Sequence, residues 1–118
     1  MDGAIKEYTA AAEIYSKTLP QTDGAVAEVY YLLGTSQQLG GHHTDAEASF
    51  TKAADAVAAA ISDYETRAKT ASPEDAAKLS SKIADRRGIL AEISDKIAET
   101  KALASEMELL AKAKAEAK

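Results

Sequence analysis

The sequence predicts an all-α fold, made of helical hairpins and capped by a long C-terminal helix. Three observations predict it. The 118 residues are rich in Ala, Glu and Lys and hold only six Gly and two Pro, a composition that favours helix. No segment alternates apolar and polar residues with the period of two that a half-buried strand requires. Apolar residues recur instead at helical spacing in four segments, separated by short punctuation rich in Gly, Pro, Ser and Thr.

The first helix is expected over about residues 3–18 and ends at LPQTDG, where Pro20 and Gly24 break the pattern. Thr22 or Asp23 then caps the second helix, about 24–39, which stops at Gly40 and Gly41 because glycine takes left-handed backbone angles at little cost. The third helix opens at TDAE, read as a capping box in which Thr44 accepts from the amide of Glu47 and Glu47 reaches back. It runs to about residue 70. The fourth opens at SPED, with Ser72 as cap, Pro73 in the first helical position and two acids in the first turn, where the helix dipole favours them.

That fourth helix is expected to continue for some 40 residues, to about residue 115. Leu79, Ile83, Leu90, Ile93, Ile97, Met107 and Leu110 line one side of it at helical spacing, as a stripe to be buried. Gly88 interrupts the run, marking a bend or a tight contact. The tail AKAKAEAK has almost nothing to bury and is expected to fray.

Composition narrows the function classes. Alanine makes up half of the apolar residues, so the core must rely on close helix approach rather than on bulky side chains. The absence of cysteine removes disulfides, thiolate nucleophiles and cysteine zinc sites together. No run of 18 apolar residues occurs, and MDGAIKEYTA does not read as a signal peptide. A soluble intracellular protein is expected. Residues 1–72 hold five Lys and Arg against ten Asp and Glu, whereas residues 73–118 hold nine of each, so the net charge of −5 lies in the first part. An acidic surface disfavours nucleic acid and anionic membranes, and suits a basic partner.

No phosphate-binding glycine loop, no supported Ser, His and Asp set and no zinc spacing is present, so no catalytic residue, metal site or cofactor is expected. His42 and His43 are adjacent in LGGHHTDAE and point in different directions on a helical hairpin. They read as part of a turn.

Internal similarity sets the architecture. DGAIKEYTAAAEIY and DAEASFTKAADAV share Ala, an aromatic and Ala at matched spacing: Ala4, Tyr8 and Ala11, then Ala46, Phe50 and Ala53, 42 residues on. Counted from Ala27, the residues Tyr30, Leu33, Gly34, Ala46, Phe50 and Ala53 occupy the signature positions of a tetratricopeptide repeat, in which small residues let antiparallel helices touch and large ones fill the space between. Gln37 stands where that repeat usually has Tyr, and no Pro closes the unit. Residues 1–18 therefore read as the second helix of a partial repeat, 24–70 as a repeat with an extended second helix, and 73–115 as a long capping helix. Fewer than three repeats do not normally bury a solenoid core. The capping helix, or a homo-oligomer formed through it or through the unpaired repeat face, would compensate.

The stretch AEVYYLLGTSQQLGGHHTDAEASFTKAADAV resembles the SHNi-TPR module, and ILAEISDKIAETK resembles the capping-helix segment that follows it. Both belong to the SHNi-TPR histone chaperone family, that of the nuclear autoantigenic sperm protein and its fungal relatives. The resemblance covers residues 24 to about 101. It implies a largely nuclear chaperone of histone H3 and histone H3–H4, active in chromatin and nucleosome assembly. The family has more repeats and a long acidic insertion than this chain carries, so the chain is expected to be a C-terminal fragment or a shortened member.

In a stack of such repeats the first helix of each pair faces the concave surface through every third or fourth residue, here Glu28, Tyr31, Thr35 and Gln38. Leu39 either extends the apolar floor of that groove or packs at the helix end. Glu28 offers a charge-assisted acceptor and Tyr31 a flat amphipathic contact, which suits a segment with Lys or Arg beside an apolar anchor. The family resemblance implies the same contacts, to the C-terminal part of histone H3. Tyr8 and Tyr30 are expected in the core, and Arg86 and Arg87 on a solvated face or in an internal ion pair. A groove for chaperone C-terminal carboxylates would need cations where Glu28 stands, so its sign is wrong. An adaptor or oligomerisation scaffold built on the long helix is the alternative reading.

Overall fold

A computed structural model describes residues 2–117, so the first and last residues of the expected domain lie outside the described residues. The fold is all-α, with four helices: α1 (Asp2–Thr18), α2 (Gly24–Leu39), α3 (His43–Ala68) and α4 (Pro73–Glu116). They pack in chain order, α1 on α2, α2 on α3 and α3 on α4. The body is elongated, 68 × 25 × 16 Å, because α4 alone runs 44 residues.

Two of the helix starts follow the sequence. Asp23 caps α2 by accepting from the Ala25 amide at 2.9 Å, and Ser72 caps α4 by accepting from the Asp75 amide at 3.2 Å, with Pro73 first in the helix. The end of α2 is a Schellman turn: the His42 amide donates to the Gln37 carbonyl, the Gly41 amide to the Gln38 carbonyl. Gly41 supplies the left-handed residue, at φ 82°.

The expected capping box at Thr44 does not form. The carbonyl of His42 already accepts from the Ala46 amide at 2.9 Å, so α3 begins at His43 and Thr44 lies inside its first turn. His42 is the cap residue and makes no side-chain capping bond. Glu47, freed from the box, reaches Lys101 on α4 at 3.9 Å.

The α2–α3 hairpin packs closely at Gly34. Phe50 is fully buried and lies against Gly34, where an added Cβ would sit 2.8 Å from the ring atoms Cδ1 and Cε1. Tyr31 closes on the other side of the Phe50 ring, with centroids 5.5 Å apart and planes tilted by 55°. Ala46, Ala53, Val57 and Ile61 continue the same buried face of α3 down to Ile93 of α4. This is the close alanine-based packing that the composition demands. Gln37, which departs from the repeat pattern, accepts from the buried Ser49 hydroxyl at 2.6 Å. The pair satisfies the buried Ser49 hydroxyl.

Tyr30 ties three helices together: its hydroxyl is 2.6 Å from that of Ser16 on α1, and the ammonium of Lys52 lies over its ring. Both Tyr30 and Tyr8 are half-buried, and of the two Tyr30 packs against the core cluster. On α1 it is Ala12, rather than the aligned Ala11, that becomes fully buried.

The stripe on α4 is only partly used. Ile93 is buried, and Ile83, Leu90 and Ile97 pack on the core, but Met107 and Leu110 remain 55% and 56% exposed. The reason is length: the ion pairs Arg87–Glu65 and Lys101–Glu47 show α4 running antiparallel along α3, and by Lys101 it has reached the second turn of α3. Past that point α4 has no neighbour, yet it remains helical to Glu116 rather than fraying. Gly88 makes no tight contact, since a Cβ there would meet nothing within 4 Å.

Candidate functional site

A cleft of about 420 Å³ lies where α4 crosses the α2–α3 hairpin, within the size range of ligand and side-chain pockets. Each wall comes from a helical face. From α2 and the turn before it come Thr22, Asp23, Gly24, Ala27, Glu28 and Tyr31; from α3, Ala56, Val57 and Ala60; from α4, Arg86, Ile89, Glu92 and Ile93. Residues 24, 27, 28 and 31 share one face of α2 because they stand three or four apart. The same spacing brings 86, 89 and 93 together on α4. Alanines at 27, 56 and 60 hollow the cleft, since larger side chains there would fill it.

The floor is apolar, formed by Tyr31, Val57 and Ile93, and the charges stand around it. Asp23 is occupied with the α2 cap. Glu28 and Glu92 are exposed, and among the described residues neither has an ion-pair partner within 4 Å. Among the described residues Arg86 is the one cation lining the cleft. It is half-buried, its guanidinium comes near Gly24, and it too has no ion pair among the described residues.

Of the expected binding residues, the structure brings Glu28 and Tyr31 to this cleft and leaves Thr35, Gln38 and Leu39 outside its lining. Thr35 donates its hydroxyl to the Tyr31 carbonyl at 2.9 Å, a bond within the helix. Leu39 is 68% exposed at the end of α2, so it neither packs nor forms a floor. Tyr31 has a double position, one side against Phe50 in the core and the rest facing the cleft.

Arg86 corrects the sequence reading. Arg87 does form an internal ion pair, with Glu65 at 3.2 Å, but Arg86 turns into the cleft wall. Adjacent helical residues point about 100° apart, so the pair could not share one role. Sequence reasoning also missed Glu92 and Ile89. Their signal was the stripe through Ile93, which fixes the face of α4 that meets the hairpin; missing was the antiparallel register that sets residues 86–93 opposite α2.

Among the described residues no group of three His, Cys, Asp or Glu side chains is arranged to hold a metal ion. His42 is exposed and His43 half-buried at the hinge between α2 and α3. No helix is long and apolar enough to cross a membrane. Compared with models of protein families and with curated proteins, the chain matches none.

Proposed function

We propose that the protein is a non-catalytic binding module that holds a basic protein segment in the cleft between α2, α3 and α4. The observation that carries this reading is the pairing of an apolar floor with two uncompensated carboxylates, Glu28 and Glu92, at its edge. An apolar side chain of the partner fills the cavity over Tyr31, and a Lys or Arg one helical turn away meets Glu28. A hydrogen-bonded charge pair beside a desolvated anchor gives affinity through the anchor and selectivity through the charge.

The resemblance of residues 24–101 to the SHNi-TPR module points to the source of that segment: histone H3, free or in histone H3–H4. On this reading the protein is a histone chaperone or histone-binding module that works in the nucleus, and chromatin assembly is the setting. Its acidic N-terminal part, which holds the whole net charge of −5, supports a basic partner and opposes direct binding of nucleic acid or membrane.

The test is binding of histone H3–H4 against the other core histones at low and high salt. Preferential binding of H3–H4 that weakens as salt rises supports the reading. Equal binding of all core histones would reduce the cleft to a general acidic surface, and no binding at low salt would end the proposal.

A further inference from the structure

The end of α4 stands outside the packed body. Every residue from 105 to 116 is exposed, about 18 Å of helix at 1.5 Å per residue. An isolated helix of this length is marginal in water, and this one carries Met107, Leu109 and Leu110, exposed by 55%, 68% and 56%. Leu103, Met107, Leu110 and Lys114 follow one another at steps of four, three and four, the spacing of a helix that lies along another helix.

The charges say which helix fits. Glu106 and Glu108 precede Leu110 by four and two residues, and Lys112 and Lys114 follow it by two and four. The pattern reverses sign about Leu110. A second copy of the segment laid antiparallel with Leu110 level with Leu110 puts Glu106 level with Lys114 and Glu108 level with Lys112 of the other copy, whereas a parallel copy puts like charges together. Of these pairs, Lys114 continues the Leu103–Met107–Leu110 face and Glu106 lies at its border, so these two meet across the contact, whereas Glu108 and Lys112 point away from it. A two-fold axis through Leu110 satisfies both copies at once, as an isologous contact must.

We propose that the end of α4 is an antiparallel self-association surface, two copies of this chain crossing at Leu110 with Glu106 of each beside Lys114 of the other. The contact is small compared with a standard protein interface, so dimerisation is weak and depends on concentration and salt. It does not involve the cleft, and it stands or falls separately from histone binding.

Charge exchange tests both the surface and its polarity. In sedimentation velocity over a concentration series the wild-type chain shifts from monomer to dimer. Glu106→Lys and Lys114→Glu each weaken dimerisation several-fold, because each puts like charges side by side twice per dimer. An equal mixture of the two variants regains it, since both contacts of the heterodimer are then opposite in sign. The chain has no cysteine, so Leu110→Cys places a single thiol on the axis and oxidises readily to a disulfide dimer, while Leu39→Cys, as exposed but elsewhere, does not. A wild-type chain that stays monomeric at its highest soluble concentration overturns the proposal. So does a mixture that dimerises no better than its components, with circular dichroism showing both folded.

Discussion

Replacing Gly34 by alanine adds one methyl group at the closest approach in the molecule. The new Cβ would lie 2.8 Å from Cδ1 and Cε1 of Phe50 and 3.1 Å from Cγ. The ring cannot swing away, because Phe50 is fully buried with Tyr31 at its side, so α2 and α3 must separate or the ring must leave its rotamer. Overpacking of this kind costs about 1–3 kcal/mol. Against it stands the gain of about 1 kcal/mol that Gly→Ala brings to a helix interior. Gly88→Ala supplies the internal reference: it has the same chemistry and helical setting, but nothing lies within 4 Å of the added methyl. Gly88→Ala should therefore stabilise by about 1 kcal/mol, and Gly34→Ala should fall below it by about the full packing term of 1–3 kcal/mol. Urea titrations followed by circular dichroism measure both, as midpoint shifts at unchanged slope. Equal stabilisation by the two substitutions would refute the close contact on which the hairpin rests.

Gly41 holds a left-handed backbone at φ 82° in the turn after α2, so Gly41→Ala should destabilise by about 1–2 kcal/mol; no change in urea midpoint would mean that the turn has another geometry. Thr100 is fully buried and its hydroxyl has no hydrogen-bond partner among the described residues. Exchanging that hydroxyl for a methyl group in Thr100→Val removes an uncompensated polar group and should raise stability by about 1 kcal/mol; a loss in the same titration would show that the hydroxyl is bonded. Ser72→Ala removes the acceptor for the Asp75 amide and should cost about 1 kcal/mol, visible as a lower thermal midpoint.

Much of this fold was legible because local rules and packing agree. The Asp23 and Ser72 caps, Pro73 and the glycine pair mark helix ends by their own chemistry, and Tyr30, Leu33, Gly34, Phe50 and Ala53 state the hairpin contact. The Thr44 capping box failed because the Schellman turn at Gly41 fixes His42 as the cap residue of α3, a backbone constraint that outweighs a side-chain one. The cleft was half legible. Glu28 and Tyr31 follow from the periodicity of α2 alone, but Arg86, Ile89 and Glu92 reach it only through the register of α4 on α3. That register is set by the packing of Ile83, Leu90, Ile93 and Ile97 on the Ala46–Ile61 face of α3, and exposed ion pairs such as Glu65–Arg87 only mark it. Helical spacing also assigned Met107 and Leu110 to the core, because periodicity shows which face is apolar and not how far the opposing helix extends.

The claim that the cleft reads a basic segment is tested most directly by calorimetry with a peptide from the C-terminal helix of histone H3. Binding by the wild-type chain should weaken about tenfold or more at low salt in Glu28→Lys. It should hold or tighten in Arg86→Gln, which removes the cation that lines the cleft. Circular dichroism should show both variants folded, since Glu28 is exposed and Arg86 forms no ion pair among the described residues. Unchanged binding in folded Glu28→Lys, or binding lost in Arg86→Gln, would contradict the account.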